Sequence, residues 1–138
     1  MQEITSKLRS FFASERLPGV VAVYLFGSST RGAHRESDVD IGVLLDRGIY
    51  SNRNQRSRVR VELMADLIHA LRKNEVDLVI LNDAPPELAK HVATRGVPVL
   101  VNDPEENHVF VRDAQLRAAD IAPFLGRMRR LKLEYATR

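Results

Sequence analysis

The sequence predicts a small α/β fold, in the broad sense that includes α+β folds: a mixed β-sheet of about four strands flanked by helices, followed by a long helical segment. Short apolar, β-branched runs alternate with stretches of helical periodicity, and there is no internal repeat. A chain of 138 residues that is 44% hydrophobic is long enough to bury a core. We therefore expect one domain over residues 1–138.

Four strands are predicted from short apolar runs bounded by turn residues. The first is a short apolar run rich in β-branched residues, which indicates a buried strand. Pro98 lacks an N–H for the sheet ladder and therefore places the last strand at an edge. The predicted strands span residues 20–26, 39–45, 76–81 and 97–101.

Four helices are predicted from apolar residues three and four positions apart. The first carries Ile4, Leu8, Phe11 and Phe12 on one face and ends before Pro18-Gly19. The others span 58–71, 88–94 and 104–135. Pro123 should kink or divide the last one.

Two further helices have a predicted apolar face, and a polar loop is predicted over 46–54. The face of the helix over 58–71 consists of Val61, Met64, Ala65, Ile68 and Leu71. The face of the helix over 104–135 consists of Phe110, Ala114, Ala118, Ile121, Leu125, Met128 and Tyr135.

The composition excludes several classes of protein. There are no cysteines, so neither a disulfide framework nor a thiolate metal site is possible. No apolar run approaches the roughly 20 residues that span a bilayer, and the N-terminus lacks the pattern of a secretory signal. We expect a cytoplasmic protein without a membrane partner. The formal charge of +3 is compatible with phosphate-bearing ligands but does not require them.

Three aspartates interrupt the apolar strands. Asp38 and Asp40 are two residues apart at the start of a strand and therefore point to the same face. Two carboxylates this close repel one another unless a divalent cation lies between them, and Mg²⁺ or Mn²⁺ prefers such oxygen ligands. If the strand of Asp77 pairs beside them, three carboxylates converge, as two-metal phosphoryl chemistry requires. The alternative interpretation is that Asp38 caps a turn, Asp40 faces solvent on an edge strand and Asp77 is an incidental residue at a strand start.

Gly27-Ser28 follows a buried strand and predicts a tight turn, within residues 27–32, that opens a short helix. Backbone N–H groups at such a helix start can bind phosphate, and the Ser28 hydroxyl can donate to a phosphate oxygen. An ordinary turn with a serine N-cap is the alternative interpretation. No lysine follows Gly32, so this is not a P-loop.

Taken together, the segment LFGSSTRGAHRESDVDIGVLL resembles the signature of the DNA polymerase β-like nucleotidyltransferase superfamily. Nine residues separate Ser28 from Asp38. The short chain and the downstream pattern VDLVILNDAPPELAKHVATRGVPVL resemble the minimal nucleotidyltransferase (MNT) branch of that superfamily. The resemblance covers residues 20–101 and implies a nucleotidyltransferase fold.

The resemblance implies roles for six residues. Asp38, Asp40 and Asp77 would be the catalytic carboxylates and would hold two Mg²⁺ or Mn²⁺ ions, with Asp77 as a ligand or a base. Gly27 and Ser28 would contact the phosphates of ATP, and Arg31 is a further candidate for phosphate contact.

The resemblance also implies a partner. Many MNT proteins are antitoxins paired with a HEPN-domain ribonuclease toxin, and they transfer AMP from ATP to a tyrosine of that toxin. The long C-terminal segment could dock on such a partner or pack on its own domain. Two other functions stay open: a binding-only antitoxin, and nucleotidyl transfer to a small molecule such as an aminoglycoside. We expect no direct nucleic-acid binding, and a homo-oligomer or hetero-oligomer is possible.

Several other polar residues have a simple structural interpretation. The four histidines show no metal-ligand spacing and are expected on the surface, and Tyr24 is expected in the core or at an interface. Tyr50 is expected at a loop tip, with nucleotide stacking as the alternative. A solvated helix face is expected for the arginines at positions 53, 56, 58 and 60, with contact to phosphates or to an acidic partner as the alternative.

Overall fold

The computed structural model describes residues 2–13, 17–27, 39–72 and 76–137. The predicted strands over 20–26, 39–45 and 97–101 are confirmed with the same bounds. The predicted turn after Gly27 lies outside the described residues. In chain order the elements are α1 (Gln2–Ala13), β1 (Val20–Phe26), β2 (Val39–Leu45), α2 (Arg53–Leu71), β3 (Val76–Ile80), α3 (Pro86–Arg95), β4 (Val97–Val101) and α4 (Pro104–Thr137).

The four strands form one mixed sheet in the order β3-β2-β1-β4. Strand β1 pairs antiparallel with both β2 and β4, and β2 pairs parallel with β3. A parallel pair needs a crossover connection, and α2 provides it. Strand β4 lies at an edge, as Pro98 predicted.

One face of the sheet packs against α1 and α2, and we call it the α1–α2 face. Val23, Ile41 and Leu78 of the three strands β1 to β3 are completely buried there. Leu8 of α1 and Leu67 of α2 close this core from the other side. Such burial of large aliphatic side chains is the main stabilising contribution to the fold.

The opposite face packs against α3 and α4, and we call it the α3–α4 face. Val92 of α3 and Phe110 of α4 pack there with Leu44 of β2. Tyr24 also lies in this core, as predicted, and its hydroxyl donates a 2.7 Å hydrogen bond to Oδ1 of Asn107 in α4. Burial raises the pKa of Tyr24, and the hydrogen bond to Asn107 opposes that effect.

Helix α2 differs from its prediction in both start and orientation. It begins at Arg53, five residues earlier than predicted, because the Asn52 side chain caps it by accepting from the Gln55 N–H. The predicted apolar face is correct in part: Leu71 is buried, and Met64 and Ile68 are partly buried against the core, whereas Val61 is 63% exposed. The side of the helix that faces the core is centred on residues outside the predicted face. Its buried residues are Val59, Leu63, Leu67 and Leu71.

Helix α4 is continuous through Pro123, so the predicted division at this proline does not occur. Its predicted apolar face is buried only in part. Ala114 and Ala118 are buried, whereas Met128 is 45% exposed. In the described part of the chain, no helix is both long and apolar enough to cross a membrane.

Strand β3 ends at Ile80, one residue before its predicted end, because the chain enters a 3₁₀ turn at Leu81–Asp83. The Asn82 side chain then takes over the pairing with β2. Its Oδ1 accepts from the Leu45 N–H at 2.9 Å, and its Nδ2 donates to the Leu45 carbonyl at 2.8 Å. One amide side chain thus continues the ladder between β2 and β3.

We expect Asn82→Ala to lower the free energy of unfolding by about 2 kcal/mol, because it leaves two backbone groups of buried Leu45 without these partners. Urea denaturation with an unchanged m-value measures the loss. Asn54→Ala, at an exposed position of α2, is the matched control, with an expected change within about 0.5 kcal/mol. Equal losses in the two variants would contradict the role assigned to Asn82.

Candidate active site

Two of the three predicted carboxylates meet on the sheet. Strands β2 and β3 pair so that Asp40 is the partner of Asp77. Partners in register point to the same face. Their neighbours Val39, Ile41 and Leu78 are buried on the α1–α2 face, so both carboxylates lie on the opposite, α3–α4 face.

The two carboxylates are accessible. They lie near the amino ends of β2 and β3, away from Leu44 and Leu81, which pack in the core beneath α3 and α4. Asp40 is half-buried and Asp77 is exposed. A ligand can therefore reach them from solvent while the sheet fixes the backbone of both residues.

Gly27 lies directly against Asp40. It follows β1, whose last residue, Phe26, is the sheet partner of Asp40. Its φ of +74° is in the left-handed region, which side chains rarely adopt. A Cβ at this position would also overlap the carboxylate of Asp40. Only glycine meets both requirements, so Gly27 and Asp40 form one structural unit.

The other predicted site residues lie outside the described part of the chain. These are Asp38, Ser28 and Arg31. Their roles stay predictions from sequence. His34 also lies outside the described part, whereas His69, His91 and His108 are exposed, as predicted.

The first turn of α2 lies at the other end of β2 from Asp40, since α2 follows the carboxyl end of that strand. Arg56 forms a two-point ion pair with Asp83, with N···O distances of 2.9 and 2.8 Å. The hydrogen bond to Asp83 raises the pKa of Arg56, although desolvation opposes it. Arg60 donates to the Leu78 carbonyl at 2.7 Å. For these two arginines the expected solvated helix face is wrong, because both stabilise the fold.

The expectation for Tyr50 is also wrong, since it lies neither at an exposed loop tip nor free to stack on a nucleotide. Its ring is buried, and its hydroxyl donates to the Pro18 carbonyl at 2.7 Å. Burial raises its pKa. Tyr50 thus anchors the loop after β2 to the turn before β1.

Gly42 was not singled out from the sequence, although it lies on the same face as Asp40, two residues further along β2. A Cβ at Gly42 would come within 3.1 Å of Leu81 Cδ2. Leu81 therefore closes the apolar core next to the carboxylates. A glycine inside an otherwise apolar strand is the sequence signal for such a close approach.

The described residues contain no group of three or more His, Cys, Asp or Glu side chains that could hold a metal ion. The donor set nevertheless fits a hard divalent cation. Asp40 and Asp77 supply carboxylate oxygens from neighbouring strands, and Gly27 leaves space at the carboxylate of Asp40 that a side chain would fill. Asp38 would add a third carboxylate if it takes its predicted role.

Comparison with known proteins agrees with this geometry. The family model "Polymerase beta, Nucleotidyltransferase" matches residues 6–105. No curated protein matches the chain. A toxin–antitoxin structure with AMP-PNP is similar, with a TM-score of 0.68, 26% identity and coverage of 97% of this chain and 98% of that chain.

Two further structures share the fold. An MntA–HepT toxin–antitoxin structure with two Asp→Glu mutations has a TM-score of 0.67 and 24% identity, over 97% of this chain and 98% of that chain. The complex of a tri-AMPylated HEPN toxin with an MNT antitoxin from Shewanella oneidensis has a TM-score of 0.64 and 23% identity, over 100% of both chains. Because the family model spans more than half of the sequence and includes Gly27, Asp40 and Asp77, this chain belongs to the polymerase beta nucleotidyltransferase family.

Proposed function

We propose that this chain is a metal-dependent nucleotidyltransferase that transfers AMP from ATP to a tyrosine hydroxyl of a HEPN-family toxin and so acts as the antitoxin. One observation carries the proposal: Asp40 and Asp77 are sheet partners at an accessible end of the sheet, with Gly27 against Asp40. Carboxylates on directly opposed strand positions repel one another, and a cation bound between them would remove that repulsion.

Asp40 and Asp77, together with Asp38, would hold Mg²⁺ or Mn²⁺. Such cations, when bound, neutralise charge on the triphosphate and lower the pKa of the attacking hydroxyl. Gly27, Ser28 and Arg31 would contact the phosphates. The AMP-PNP in the 26% identical relative supports ATP as the co-substrate.

AMP transfer exchanges one bond at the α-phosphorus of ATP for another. The tyrosine oxygen forms a bond to the α-phosphorus of ATP, and the bond from that phosphorus to the α–β bridging oxygen breaks. Pyrophosphate leaves with the electron pair, and the hydroxyl proton passes to a base or to solvent. Asp77 is exposed and is therefore available either as that base or as a metal ligand.

The acceptor is inferred from the relatives. The HEPN toxin of Shewanella oneidensis is tri-AMPylated in its complex with an MNT antitoxin that shares this fold. AMP adds negative charge and bulk, and either would disturb a ribonuclease site that binds RNA phosphates.

The test uses the purified chain, Mg²⁺, labelled ATP and its candidate HEPN-family partner. We expect label on the HEPN protein, a mass increase of whole AMP units, and loss of its ribonuclease activity. A chelator should abolish all three. Absence of label with both Mg²⁺ and Mn²⁺ would refute AMP transfer to this acceptor.

A second function, neutralisation by binding alone, is favoured by exposed apolar side chains on α4. Co-expression of the HEPN protein with an Asp40→Asn variant separates the two functions. Growth would be rescued if binding suffices, whereas toxicity would persist if neutralisation requires AMP transfer. We expect toxicity to persist.

A further inference from the structure

Helix α4 extends beyond the part of the protein that it packs against. Ala114 and Ala118 are its buried residues, and no described side chain after Ala118 is buried. The segment from 119 to 137 is about 28 Å long at the usual helical rise. We call residues 119–131, whose side chains are described, distal α4.

Distal α4 carries an exposed apolar stripe. Phe124 is 51% exposed, Met128 is 45% exposed and Leu131 is 57% exposed. Successive spacings of four and three residues place these side chains on one side of the helix, in the pattern by which one helix packs against another. Large apolar side chains grouped in this way mark an interaction surface, unlike ones scattered singly.

Two residues lower the stability of distal α4 as a helix when no other protein surface packs against it. Pro123 removes a backbone hydrogen bond inside α4, and Gly126 has no neighbouring atom within 4 Å of a Cβ position. Packing against a partner is the usual source of stability for such a helix.

The charge of distal α4 indicates whether its partner is a second copy of this chain or a different protein. Distal α4 contains three arginines close together, Arg127, Arg129 and Arg130, and one acidic residue, Asp120, near its start. Pairing of the stripe with the same stripe of a second copy would bring the two arginine clusters together, which is unfavourable. A different protein with carboxylates beside its apolar residues would be complementary.

We propose that distal α4 is the surface on which the acceptor protein docks, and that it binds an α-helical surface with an apolar stripe flanked by Asp and Glu. This inference rests on the proposed function only in taking the acceptor as the partner. Binding of the acceptor protein would then depend on α4 and AMP transfer on the sheet, so a mutation could abolish either one without the other.

The test measures calorimetric binding of the chain to its candidate HEPN-family partner, prepared as a ribonuclease-inactive variant. Leu131→Asp should weaken binding at least about tenfold. Arg127→Glu should also weaken it and reduce its dependence on salt. All these positions are exposed, so circular dichroism and the melting temperature should stay unchanged.

Two variants serve as matched controls. Ala122→Asp introduces the same charge at an exposed position two residues before Phe124, on the opposite side of the helix, and should change affinity less than about twofold. Asp40→Asn should bind as tightly as the wild type while transferring no AMP.

Equal affinities for Leu131→Asp and Ala122→Asp would overturn the docking surface. So would a dimer of this chain alone in sedimentation experiments that Leu131→Asp dissociates, since the partner would then be a second copy. Docking through α4 without AMP transfer would leave this inference standing and would refute the proposed function alone.

Discussion

Asp40→Asn is expected to lower the rate of AMP transfer by about 100-fold or more, the usual scale for removing a group that stabilises charge in a transition state. Asparagine keeps the shape of the side chain but removes its negative charge. In the pairing of β2 with β3, that charge lies beside Asp77, where a cation would bind. Label transfer to the HEPN protein under single-turnover conditions measures the effect.

The same variant should stay folded. Asparagine keeps the size and shape of the side chain that lies against Gly27, so circular dichroism of Asp40→Asn should match that of the wild type. Added Mg²⁺ should raise the melting temperature of the wild type, because a ligand of the native state stabilises it, and should have little effect on Asp40→Asn.

Asp66→Asn is the matched control for this experiment. Asp66 is exposed on α2, which packs on the other face of the sheet, so both AMP transfer and the response to Mg²⁺ should match the wild type. Wild-type transfer by Asp40→Asn would exclude Asp40 from the catalytic site.

Gly27→Ala is expected to lower the free energy of unfolding by about 1–3 kcal/mol and to weaken Mg²⁺-dependent ATP binding. Alanine is strained at a φ of +74°, and its methyl group would displace the carboxylate of Asp40. Chemical denaturation measures the first effect, and calorimetry with ATP and Mg²⁺ measures the second.

The two causes can be separated with the double variant Gly27→Ala, Asp40→Ala. In the Asp40→Ala background, Gly27→Ala should lower the free energy of unfolding only by the backbone strain, which is about 1–2 kcal/mol. Gly126→Ala is the control, since a methyl group there meets open space in a helix. It should raise helix stability by about 0.5–1 kcal/mol and leave ATP binding unchanged. Equal costs of Gly27→Ala in both backgrounds would show that the overlap with Asp40 is unimportant.

Helix α2 shows where prediction from sequence reached its limit. Its apolar residues form two stripes, and helical periodicity alone does not decide between Val61 and Val59 as core positions. The structure buries Val59 and exposes Val61 because Val59 shares its stripe with Leu63, Leu67 and Leu71 against the sheet. The burial of Tyr50 and the ion pair of Arg56 could not be predicted for a related reason, because their partners Pro18 and Asp83 are distant in sequence.

The strands and the family can be predicted from the sequence alone, because runs of β-branched residues and the spacing from Gly27-Ser28 to Asp38 and Asp40 are local patterns. The sequence also indicates Asp77 as a candidate site residue, but not its position relative to Asp40. The register that pairs Asp40 with Asp77 across β2 and β3, and the exposure of the apolar stripe on distal α4, are known only from the tertiary structure. Strand pairing and helix docking depend on contacts between distant segments, and local patterns do not specify them.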